Sequence, residues 1–196
     1  MITVIIGTDN SGRALAPTLA ALVAGAAAGA VREVIVADAG STDPTVEIAD
    51  MAGCEFIVSK APLALRLQEA AGRARAAWLM FLRPGVVLDQ TWIEEANRFV
   101  EHVELSGQSD ARAAVFRRAP SIADSRPLLL EALGILISAL SRRPHPEQGL
   151  LISKRFYEQL GGHRVGITDA ETDLLARLGR KRTIMLRSAA VKVTNG

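Results

Sequence analysis

Cysteine is nearly absent from this chain. Cys54 is the only one in 196 residues, so no internal disulfide can form. A lone thiol fits a reducing compartment, and the expected location is the cytoplasm. Aromatic residues are scarce at 4%, and no dense basic run carries them. That excludes the usual composition of a nucleic-acid-binding surface. Neither charge sign dominates; the formal net charge of +2 describes a slightly cationic protein and nothing more. No apolar run reaches the roughly 20 residues that cross a bilayer. The opening segment from Met1 to Gly7 is apolar but short, without a basic leader or cleavage site, and reads as a first strand. His102, His145 and His163 are scattered, with no metal-ligand spacing. What is plentiful is apolar character, at 49% of residues. That is too much for disorder and enough, over this length, for one domain with a substantial core.

Strands and helices alternate. Ile2 to Ile6, Val34 to Ala37 and Trp78 to Leu82 are unbroken apolar runs, the pattern of strands covered on both faces. Glu55 to Val58, Ala113 to Phe116, Leu150 to Ile152 and Thr183 to Leu186 read as further strands. Helices are expected at 14–28, after Pro44, at 63–75, 91–103, 127–141, 154–160 and 170–178, with Gly161-Gly162 ending one of them. Arg117 to Arg126 reads as a polar loop, and Asp89 as a cap for the helix starting near Thr91. The alternation predicts a single α/β, Rossmann-like domain with a mostly parallel sheet flanked by helices.

In such sheets ligands bind beyond the carboxyl ends of the strands. Three polar loops fall there: Gly7 to Ser11, Asp38 to Asp43, and Arg83 to Gly85. Asp38 could accept hydrogen bonds from a base or sugar. Equally, Asp38 and Asp43 could cap the turn and helix that follow them. Spacing does not choose. Gly7 and Gly12 are spaced like phosphate-loop glycines, but Arg13-Ala14 replaces the lysine and hydroxyl that such a loop needs.

Val34-Ile35-Val36-Ala37-Asp38-Ala39-Gly40-Ser41-Thr42-Asp43-Pro44-Thr45 resembles the segment EVIVVDGGSTDGT of family-2 glycosyltransferases. Ile2 to Ser11 resembles that family's opening strand and loop. Trp78 to Gly85 occupies the place of its WLLFLHADT. The block from Arg143 to Ile152 followed by Phe156 to Gly162 is similar to a bacterial subgroup associated with radical-SAM and selenium-related genes. The resemblance implies the GT-A fold and an inverting transfer of sugar from a nucleotide-diphosphate sugar. It implies that Thr8, Asp38 and Gly40 hold the nucleotide. Arg66 is the nearest match to an assisting arginine, and Gln148 belongs to the substrate-binding block. Glu171 in Ala170-Glu171-Thr172-Asp173 takes the place of the general base, and Asp173 that of a supporting carboxylate.

The chain departs from the family where a divalent metal would be held. Leu82-Arg83-Pro84-Gly85 supplies no carboxylate, and a hard cation wants oxygen ligands. No cofactor is therefore expected, and magnesium or manganese is doubtful. Arg83 is instead placed to face the diphosphate, or else is a solvated turn residue. Two alternatives stand beside the transferase reading: a non-catalytic nucleotide-binding homologue, and a nucleotidyltransferase. The acceptor is not legible. The apolar 127–141 helix, followed by Arg142-Arg143, suits a buried or homodimer-forming role, or peripheral contact with the inner membrane face and a lipid-linked acceptor.

Overall fold

A computed structural model describes residues 1–119 and 144–193. The 127–141 helix and the end of the expected loop at 117–126 lie outside the described residues. The chain begins β1 (Ile2–Thr8), α1 (Gly12–Ala27), β2 (Val31–Asp38), α2 (Thr45–Met51), β3 (Glu55–Val58), α3 (Leu63–Arg73), β4 (Trp78–Leu82). It continues β5 (Val86–Leu88), α4 (Trp92–Leu105), β6 (Ala113–Ala119), β7 (Leu150–Ser153), α5 (Lys154–Gln159), α6 (Ala170–Leu178) and β8 (Thr183–Lys192). Single 3-10 turns precede β7 and β8, at Pro146–Gln148 and Arg180–Arg182.

The strands form one mostly parallel sheet in the order β3-β2-β1-β4-β7-β6-β8-β5. β3, β2, β1 and β4 are all parallel, while β7 runs antiparallel to both its neighbours. Alternate residues of each inner strand point to opposite faces, and each face has its own core. Val4, Ile6, Met80 and Leu82 meet α1 and α4 through Leu15, Leu19, Trp92 and Phe99. Ile5, Ile35, Leu79 and Phe81 meet α3, α5 and α6 through Leu67, Ala70, Phe156, Tyr157 and Leu174. On the first face α1 approaches α4 closely: a Cβ built on Gly25 would lie 2.4 Å from the Trp92 ring.

Two expectations need adjusting. Arg117 to Ala119 do not begin a loop; they continue β6, paired with Ala189 to Val191 of β8 past an irregularity between Val115 and Arg117. β8 likewise runs to Lys192 instead of stopping at Leu186. β5 was not expected at all. Among the described residues no helix is long and apolar enough to cross a membrane.

Candidate active site

The parallel block sets the rim. Thr8 pairs in register with Asp38, and Ile6 with Leu82, so β1, β2 and β4 end at one level. The loops after β1 and β2 are laced together. Asn10, in the left-handed region at φ 46°, donates its amide to Ser41 Oγ at 2.8 Å and accepts from Thr42 N at 2.9 Å. Asp43 accepts from Gly12 N at 2.8 Å and from both Thr45 N and its hydroxyl, joining the starts of α1 and α2.

Asp38 is fully buried. Its carboxylate accepts from Thr8 Oγ1 (2.7 Å), Ser41 Oγ (2.6 Å), Gly40 N (2.8 Å) and Ser41 N (2.6 Å). Burial acts to raise the pKa of this carboxyl, but the Ser41 and Thr8 hydroxyls and the two amides outweigh it and hold it below the usual value. Gly40, at φ 93°, makes the turn that aims those amides inward. Arg66 is also buried and braces the same strand ends. It donates to Thr8 O at 2.8 Å, Ala37 O at 2.5 Å and Ala61 O at 3.1 Å.

A cleft of about 560 Å³ opens over this rim. Gly7 to Ser11, Arg13, Leu63, Arg66, Arg83, Pro84, Glu171, Lys192 and Val193 are among its lining. A smaller cavity of about 340 Å³ lies between the start of α3 and the segment from Gly166 to Glu171. Among the described residues Leu63, Arg83 and Glu171 line both, and Glu171 is the only carboxylate that does. Arg83 Nε and Nη2 reach Glu171 Oε2 at 2.7 and 2.6 Å, and Nη2 stands 3.4 Å from Asp169 Oδ1. Asp169 is the cap of α6, accepting from Thr172 N at 3.0 Å. The turn bearing Arg83 is clamped: Gly85 N donates to Ala14 O, and Gly85 O accepts from Val193 N.

Of the residues singled out from the sequence, Thr8, Arg66, Arg83 and Glu171 come together at the cleft. Asp38 and Gly40 lie directly behind it as its scaffold. Gln148 and Asp173 do not line it. Gln148 is buried between Phe116 O and His145 N, and Asp173 pairs with Arg177 at 2.7 Å. Asp9 belongs to the Gly7 to Ser11 loop expected at this rim, and Leu63 and Lys192 were not anticipated. Lys192 comes from the far end of β8 and pairs with Glu147 at 2.9 Å, which Arg118 also holds at 2.8 Å. Its place depends on sheet closure and no local motif announces it.

The residues at the end of β4 do not fit a divalent cation. A guanidinium occupies the position between the strand end and Glu171. Among the described residues no group of three or more His, Cys, Asp or Glu could hold an ion.

Residues 3–115, more than half of the chain, match glycosyl transferase family 2. The chain belongs to this family. No curated protein matches it. Among solved structures, S. aureus TarS 1-349 superposes with a TM-score of 0.70 at 14% identity, over 97% of this chain and 60% of that one. The Pyrobaculum calidifontis mannosyltransferase PcManGT, in complex with GDP-Man and Mn2+, gives 0.72 at 14%, over 99% and 57%. Mycobacterium tuberculosis glucosyl-3-phosphoglycerate synthase, in complex with Mn2+, UDP and glucosyl-3-phosphoglycerate, gives 0.57 at 15%, over 100% and 73%. At these identities the likeness is one of fold. The chain spans about 60% of the TarS fragment and 36% of the longer TarS structure.

Proposed function

We propose that this family-2 domain takes a nucleoside-diphosphate sugar in the larger cleft and transfers the sugar, with inversion, to an acceptor hydroxyl. Glu171 carries the reading, as the one carboxylate among the described residues that faces both cavities. The nucleoside would lie along Thr8 to Ser11 and Arg66, with the diphosphate toward Arg83. The acceptor oxygen forms its bond to the anomeric carbon as the bond from that carbon to the phosphate oxygen breaks. The electron pair leaves on the nucleoside diphosphate, and the hydroxyl proton passes to Glu171 and then to solvent. Arg83 meets the developing phosphate charge, a role its planar fork suits. No divalent metal enters this scheme, although PcManGT and the synthase bear Mn2+ in their complexes. Membership of the radical-SAM-associated subgroup and a lipid-linked acceptor remain part of the proposal.

One observation favours a second reading. Glu171 is already held by two N–H groups of Arg83, as in a nucleotide-binding protein that no longer transfers. Isothermal titration with UDP, GDP and their sugars, alone and with manganese or a chelator, tests the first step. Binding is expected, indifferent to metal, and weakened about ten-fold or more in Arg83→Ala. Assay of released nucleoside diphosphate separates the two readings. Binding that disappears with chelator and returns with manganese overturns the metal-free scheme.

A further inference from the structure

The cation of this site is not waiting for a ligand; it already has one. Arg83 sends both Nε and Nη2 to a single oxygen, Glu171 Oε2. The pair is neither deeply buried nor fully wet, with the Glu171 side chain 12% and the Arg83 side chain 31% exposed. It also stands where the two cavities meet, and with Leu63 it is the lining they share. Ion pairs in such a position are exchangeable, because neither charge is sealed from a competing partner. A diphosphate offers the guanidinium more negative charge and several oxygens in fork geometry. While the pair is closed, two N–H groups occupy Oε2, and an acceptor hydroxyl cannot use that oxygen.

On the reading that the cleft takes a nucleoside-diphosphate sugar, we propose that the Arg83–Glu171 pair is an exchange latch. The incoming diphosphate draws Arg83 off Glu171, and that same movement frees Glu171 Oε2 for the acceptor hydroxyl. Productive binding is then ordered, donor first. Asp169 steadies the guanidinium in the closed state, being 3.4 Å from Nη2.

The latch has a signature that a simple binding residue lacks. Glu171 competes with the donor for Arg83, so apparent affinity is reduced by the closed fraction. Glu171→Gln keeps the shape and a neutral acceptor but weakens the hold on Arg83 by removing the charge. The variant should therefore bind UDP or GDP more tightly than the wild type, by about ten-fold, while losing transfer. In an Arg83→Gln background the same substitution should change affinity by less than about two-fold, because nothing is left to release.

The experiment is a double-mutant cycle: wild type, Glu171→Gln, Arg83→Gln and the double variant. Each is titrated with UDP and GDP in the presence of a chelator, and each is first checked for a native thermal transition. Arg83→Met, which also removes the charge and keeps a long side chain, replaces Arg83→Gln if the latter does not fold. Tighter binding by Glu171→Gln that vanishes in the Arg83 background supports the latch. Unchanged or weaker binding by Glu171→Gln overturns the latch and leaves the nucleotide reading standing. An equal gain in both backgrounds also overturns it, since plain repulsion between Glu171 and phosphate then suffices. Absence of binding by all four proteins overturns the nucleotide reading and the latch with it.

Discussion

His163 shows what a single buried residue contributes here. It is 1% exposed, and its Nδ1 lies 2.9 Å from the Tyr157 hydroxyl, with the Phe81 ring edge-on at 4.8 Å. Gln68 Nε2 bonds its carbonyl, and Arg177 and Asp173 are the charged groups near it. Burial, aided by Arg177, pushes its pKa down to about 4 from the ordinary 6.5. The unfolded chain therefore takes up a proton below pH 6.5 that the native state refuses. Stability from this source is complete above that pH and declines as pH falls, levelling off near 4. Between pH 6.5 and 5 the loss should be roughly 2 kcal/mol. Carboxyls held low, such as Glu33 and Asp38, stay ionised through that window and do not confuse it. Urea unfolding at pH 7.5 and pH 5 should show the drop in the wild type and a much smaller one in His163→Phe. The same drop in both would place its origin elsewhere.

At the scale of elements, the lacing of the loops after β1 and β2 makes Asp38 a structural anchor before it is anything else. Asp38→Ala leaves the Gly40 and Ser41 amides without their acceptor and should cost roughly 3 kcal/mol in unfolding free energy. Asp38→Asn can keep its oxygen on those amides and turn its NH2 toward the Thr8 and Ser41 hydroxyls, so it should cost much less. Denaturant titration of both variants checks this; equal losses would mean that charge, not bond count, holds the loop. The strands that bind this rim were legible because they are uniform apolar runs. β3 and β4 lie where the sequence put them, and α6 does too. β5 was not legible, because Val86-Val87-Leu88 is a strand only by pairing with Ala190 to Lys192. Arg117-Arg118 reads as solvent loop for the same reason: the backbone partners that make it a strand are more than sixty residues away in β8. In the site, Thr8, Arg66, Arg83 and Glu171 could be placed from strand ends and family resemblance. The Arg83–Glu171 bond joins residues 88 apart, and no local pattern encodes it.

Across the whole molecule, the cleft draws its walls from both ends of the chain, from Ile5 to Val193. A ligand there should protect both sets of strands at once. Hydrogen exchange with and without UDP is expected to slow in β1 and β4 and, to a comparable extent, in the end of β8. Protection confined to the first half would put the ligand elsewhere. β8 pairs parallel with β6 and antiparallel with β5, so these contacts are among the most non-local in the fold, a kind that is slow to form. During synthesis the turn that bears Arg83 leaves the ribosome long before Val193, whose amide clamps Gly85. Until then the turn is fastened on one side only, to α1 through Ala14 O and the Thr18 hydroxyl. A nascent chain can thus complete its first four parallel strands while the cleft still lacks the wall that β8 supplies.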